Sequence, residues 1–161
     1  MQSVTLTAYG ACVGNPGPGG WAYVLRFGPH TLPDSGGDTD ATATQMGILA
    51  VVKGLEALKQ PCNVQLWINN DHVRDSLRAR LHGWTRRRSE MALSPEEQLL
   101  HRLRDLAQAH QIIWLDGIAW IQDEMRCDEL VTANICQASV ERAQQLRWRP
   151  AGPISSIQDI Y

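Results

Sequence analysis

At 161 residues, with 43% hydrophobic and 20% charged side chains, the chain has the size and composition of one globular domain with a proper core. No run of about 18 apolar residues occurs, so no transmembrane span is expected, and the first residues lack the basic start and apolar run of a signal peptide. A formal net charge of −2 does not fit a broadly basic duplex binder, so any phosphate contact has to be local.

Residues 3–9 alternate and carry β-formers, which predicts a strand. A glycine–proline cluster over 14–20 reads as a turn, residues 21–27 as a second strand, and residues 30–35 as a weaker third. The acidic, glycine-bearing stretch 36–40 follows. Together these segments predict an antiparallel meander.

The period then changes. Met46, Leu49, Val52, Leu55 and Leu58 recur as on one face of a helix, which Pro61 closes before an apolar strand over 64–68. Asp71 is placed to cap a helix that turns Val73, Leu77 and Leu81 inward. Ser94, Pro95 and Glu97 form a helix start: a serine cap, a proline in the first turn and a glutamate placed for a capping box. Leu99, Leu103 and Leu106 are that helix's expected apolar face. Residues 111–115 read as the last strand, and a helix from about Asp123 is expected to bury Cys127, Leu130, Val131, Ile135 and Ala138. This order predicts an α/β fold with a five-stranded mixed sheet, its first three strands antiparallel, flanked by helices. Residues 1–146 read as one domain and 147–161 as a docked C-terminal tail.

Cys12, Cys62, Cys127 and Cys136 are scattered, without a Cys-x-x-Cys pair. Reduced thiols in a cytoplasmic protein are therefore expected, and no zinc site. Arg74, Arg78, Arg80, Arg86, Arg87 and Arg88 fall within fifteen residues, whereas Asp34, Asp38 and Asp40 cluster elsewhere. Of the six tryptophans, set against one phenylalanine, Trp21 and Trp114 read as core. Trp67, Trp120 and Trp148 are candidate interface anchors.

Five segments carry a resemblance to a known family. Ala8-Tyr9-Gly10-Ala11-Cys12-Val13-Gly14-Asn15-Pro16-Gly17-Pro18-Gly19-Gly20 resembles the first hairpin of type 1 ribonuclease H. Leu55-Glu56-Ala57-Leu58-Lys59 with Cys62, His82-Gly83-Trp84, His110-Gln111-Ile112-Ile113-Trp114 and Arg126-Cys127-Asp128-Glu129-Leu130 resemble later parts of it, in the same order. The resemblance covers about residues 3–140 and implies the ribonuclease H-like fold.

The resemblance also implies hydrolysis of RNA in RNA–DNA hybrids by two magnesium ions held by four carboxylates. Here those positions are Tyr9, Gly47, Asn69 and Asp128, and only Asp128 keeps its carboxylate. Trp120 falls near the family's histidine and cannot shuttle protons. Asp71, Asp123 and Glu124 are the nearby acids available to refill the cage, although helix-start roles suit them better. No metal or other cofactor is therefore expected, with Mg2+ entering only if the chain is an enzyme.

Asn15 and Thr42 match polar positions that contact the hybrid in the family. Asp40 and Glu96 stand in its phosphate pocket, and Ala43, Thr44 and Asp71 replace further polar contacts. Trp84 with Arg86, Arg87 and Arg88 is the remaining candidate nucleic-acid segment, set against a plain reading as a solvated arginine loop. Tyr9, Trp120, Trp148 and Tyr161 are candidate partner contacts, with Gly47 leaving room for the Tyr9 ring and Trp120 packing on the same spot; drift after loss of activity is the alternative. The leading expectation is a catalytically inactive binding or structural subunit of a nucleoprotein complex, with a protein partner and no membrane. The alternatives are a weak or altered ribonuclease H cleaving RNA in RNA–DNA hybrids, and a free-standing nucleic-acid-binding module.

Overall fold

The computed structural model describes residues 1–82 and 94–147. Five strands form one sheet in the order β3-β2-β1-β4-β5. β1 (Gln2–Cys12), β2 (Gly17–Phe27) and β3 (His30–Ala41) are antiparallel neighbours. β4 (Cys62–Ile68) and β5 (Gln111–Trp114) run parallel to β1. The helices are α1 (Ala43–Glu56), α2 (Asp71–His82), α3 (Pro95–Gln108) and α4 (Ile121–Arg147). The mixed sheet and the antiparallel first three strands agree with the sequence.

Strand alternation divides the core in two. Val4, Leu6 and Ala8 of β1 and Tyr23 and Leu25 of β2 join Ile48, Val51 and Val52 of α1 and Leu100 and Leu103 of α3. Ala22 and Val24, from the other face of β2, join Cys127 and Val131 of α4, with Tyr9 and Ala11 packed alongside. So α1 and α3 cover one face and α4 covers the other.

Several sequence expectations change. The third strand continues through the acidic stretch to Ala41, because Gly36 and Gly37 pair with Trp21 and Gly20. A Cβ on Gly36 would lie 2.7 Å from the Trp21 ring, so that ring occupies the space a side chain would need. Part of the expected turn over 14–20 likewise belongs to β2. Trp67, a candidate interface anchor, is only 8% exposed, in a strand with neighbours on both sides, β1 and β5. In α3 the fully buried positions are Leu100 and Leu103, while Leu99 and Leu106 are only partly covered.

The caps account for two helix starts. Thr42 caps α1 with a reciprocal box: its hydroxyl accepts from the Gln45 N–H, and the Gln45 side chain accepts from the Thr42 N–H. At α2 the cap is Asn70 rather than Asp71, since Asn70 Oδ1 accepts from the N–H groups of His72 and Val73. Asp71 instead accepts from Arg74, one turn along. Ser94 caps α3 by accepting from the Glu97 N–H.

Candidate active site

The positions singled out by the motifs meet at the C-terminal end of β1. Tyr9 projects toward α4, and its hydroxyl donates to Asp128 Oδ1 at 3.0 Å. Burial, that hydrogen bond and the charges of Asp128 and Glu124 push the Tyr9 phenol up to about 12. It is therefore a neutral donor at physiological pH. Glu124 lies four residues before Asp128, one helical turn away on the same side of α4.

Asn69 stands just past β4 and extends its ladder with β1. The register runs to Ala8↔Ile68, and the Asn69 N–H donates to the Ala8 carbonyl at 3.2 Å. Its side chain then takes both backbone groups of Gly10: Oδ1 accepts from the Gly10 N–H, and Nδ2 donates to the Gly10 carbonyl, each at 3.0 Å. Both ends of the amide are thereby used.

Gly47 lies on the opposite side of the sheet from Tyr9, which corrects the idea that it makes room for the tyrosine ring. A Cβ there would meet Ile68 Cδ1 at 3.3 Å and Val73 Cγ1 at 3.4 Å. Gly10 and Gly47 also mark a close approach of β1 to α1, because a Cβ on Gly10 would lie 2.2 Å from the Gly47 nitrogen.

Two magnesium ions need hard oxygen donors, preferably charged ones. In this centre Asp128 accepts from Tyr9, the Asn69 carbonyl is engaged by Gly10, and position 47 has no side chain. Among the described residues, no three His, Cys, Asp or Glu side chains converge to hold a metal. Two of the nearby acids are committed elsewhere: Asp71 to Arg74 and Asp123 to Arg26. The residues present do not fit the two-ion cage that the resemblance implies.

Trp120 belongs to a different locus. Its ring carries the Arg26 guanidinium at 4.4 Å, and Arg26 grips buried Asp123 with two bonds of 2.8 and 2.7 Å. Arg26 is four strand residues, about 13 Å, from the level of Tyr9, which pairs with Ala22. Trp120 therefore does not pack on the Tyr9 spot. The sequence reading missed this cluster; the available signal was an arginine closing an otherwise apolar run in β2.

The remaining candidates are dispersed. Asn15 is exposed in the β1–β2 turn, and Thr42 is spent partly on capping α1. Asp40 lines a cleft of about 490 Å3 with Asp38, Gln45, Gln98 and Arg102; Glu96 is not part of its lining. Asp40 also pairs with Arg142 at 3.6 Å. Trp84, Arg86, Arg87, Arg88, Trp148 and Tyr161 lie outside the described residues, as does the tail beyond Arg147.

Among the described residues, no helix is long and apolar enough to cross a membrane. A family model described as RNase H matches residues 1–135. A ribonuclease H of Bradyrhizobium diazoefficiens is 36% identical over 147 residues, which is 88% of this chain and 96% of that protein. In structure, the N-terminal RNase H domain of a Mycobacterium tuberculosis protein superposes with a TM-score of 0.68 at 18% identity, covering 88% of this chain and 99% of that one. LC11-RNase H1, solved in complex with an RNA/DNA hybrid, gives 0.59 at 17% identity, covering 84% and 98%.

These relationships overturn the expectation of an inactive subunit. It weighed three replaced carboxylates above the rest of the chain, whereas the similarity to ribonuclease H proteins spans nearly the whole sequence. The match runs through β1, α1, β4 and the start of α4, and with it the chain belongs to the RNase H family.

Proposed function

We propose that this chain is an altered ribonuclease H, which engages RNA–DNA hybrids and cleaves their RNA strand slowly. The observation that carries the reading is the ribonuclease H match across residues 1–135, and the 3.0 Å contact between Tyr9 and Asp128 supports it. The hybrid bound by LC11-RNase H1 supports the substrate class.

In this reading Asp128 takes a proton from the water that attacks the scissile phosphorus, the neutral Tyr9 hydroxyl gives its proton to the oxygen that leaves as its bond to phosphorus breaks, and the proton on Asp128 returns to Tyr9 across their hydrogen bond. A positioned general base contributes about 10²–10⁴-fold, so slow turnover is expected. Asn15, at the exposed β1–β2 turn, and the arginines at 86–88 are the proposed phosphate contacts. A cytoplasmic setting and a protein partner at the exposed Trp120 belong to the same proposal.

Fluorescence anisotropy with matched RNA–DNA hybrid and duplex DNA tests the binding half. Tighter binding to the hybrid is expected, weakening as salt rises because phosphate contacts release counterions. Equal affinity for both nucleic acids, or none for either, would overturn the reading.

A further inference from the structure

We infer that the centre around Tyr9, Asn69 and Asp128 is closed by direct hydrogen bonds and takes no pair of divalent cations. It concerns the same site as the proposed function, but it stands on geometry rather than on that activity.

Three independent features support it, each on a different element. On β1 and α4, the Tyr9 hydroxyl donates to Oδ1 of Asp128 at 3.0 Å, so an ion at that carboxylate would share it with a phenol. Just past β4, the Asn69 amide is held from both ends by the Gly10 peptide. Turning its carbonyl toward an ion would leave the Gly10 N–H without that acceptor, in a partly buried place where an unmade bond is destabilising. On α1, the space next to Gly47 is bounded by Ile68 and Val73, both buried core residues. A ligand-bearing side chain there would have to pass these two groups.

Charge points the same way. A pair of dications is stabilised by the summed charge of its ligands, and here the local carboxylates are Asp128 and Glu124, one turn apart on α4. Asp123, on the same helix, is neutralised by Arg26. The sheet contributes a neutral phenol and a neutral amide. The ends of β1 and β4 and the start of α4 are thus tied together by direct bonds, where a family cage would tie them through ions.

The test uses the full chain with MgCl2 alone as the probe, by titration calorimetry and by thermal melting with and without the salt. The expected result is no saturable heat and the same small salt response in the wild type and in Asp128→Asn. Saturable heat in the wild type that disappears in Asp128→Asn would overturn the inference.

A rebuilt chain carrying Tyr9→Asp and Asn69→Asp should melt lower without magnesium, and gain both saturable heat and a magnesium-dependent rise in Tm. If the rebuilt chain folds and gains neither, the hydrogen-bond account fails. The comparison of wild type with Asp128→Asn decides the matter even if the rebuilt chain does not fold. Absence of hybrid binding would sink the proposed function and leave this inference standing, whereas magnesium bound through Asp128 would do the reverse.

Discussion

Tyr9 and Asp128, 119 positions apart in the chain, are joined by a 3.0 Å hydrogen bond from the phenol to the carboxylate. That contact ties β1 to α4. Tyr9→Phe removes the donor while keeping the ring packed, and Asp128 is exposed, so water replaces the lost partner. The expected cost is about 0.5–1 kcal/mol, read from the midpoint of urea unfolding.

The same bond has a pH signature. The Tyr9 phenol is raised from its ordinary value of 10.0 to about 12, so folding favours its protonated form. Its contribution is fully present below pH 10 and is lost as pH rises from about 10 toward 12. Tyrosinate absorbance tests this: the titration missing from Tyr9→Phe should lie above pH 10, later than that of a free phenol.

His110 gives the opposite sign. Its Nδ1 accepts from the Cys62 N–H at 3.0 Å, and burial holds its pKa below the ordinary 6.5. Folding therefore favours the neutral ring, so its contribution is present above pH 6.5 and declines as pH falls below that value. Wild-type stability should drop on acidification from pH 7 to 5.5, and His110→Gln should flatten that slope.

Two glycines of α1 should answer differently to alanine. At Gly54 a Cβ would lie 2.5 Å from Cδ1 of fully buried Leu6, and such overpacking costs about 1–3 kcal/mol. That outweighs a helix-propensity gain of about 1 kcal/mol. At Gly47 the nearest contacts are 3.3 and 3.4 Å, which a shift of the Ile68 methyl relieves. Gly47→Ala should be neutral or mildly stabilising and Gly54→Ala destabilising, both measured by denaturant unfolding.

Arg26 tests the cluster that the sequence reading missed. Asp123 is 3% exposed and held bidentately, so Arg26→Ala leaves a buried carboxylate unpaired. The expected loss is about 3 kcal/mol. The double variant with Asp123→Ala should cost less than the sum of the single changes.

Where the sequence was readable, local rules and tertiary structure agree. The threefold apolar spacing of Met46, Val52 and Leu55 marks α1, and Ser94 with Pro95 marks the start of α3. Reading failed where tertiary contacts decide. Gly36 and Gly37 have poor strand propensity, yet they extend β3 because Trp21 lies over Gly36. The sequence put the α2 cap on Asp71, whereas the backbone path gives it to Asn70. At the candidate site the identities of Tyr9, Asn69 and Asp128 were visible. The Asn69–Gly10 clasp and the Ile68 and Val73 walls beside Gly47 depend on how β1, β4 and α1 meet, which no local pattern encodes.

The central claim is tested most directly by single-turnover cleavage of a hybrid labelled on its RNA strand, comparing the wild type with Asp128→Asn. Slow cleavage confined to the RNA strand, and lost in Asp128→Asn, is the predicted result. No cleavage by a folded wild type, or cleavage unaffected by the substitution, would contradict it.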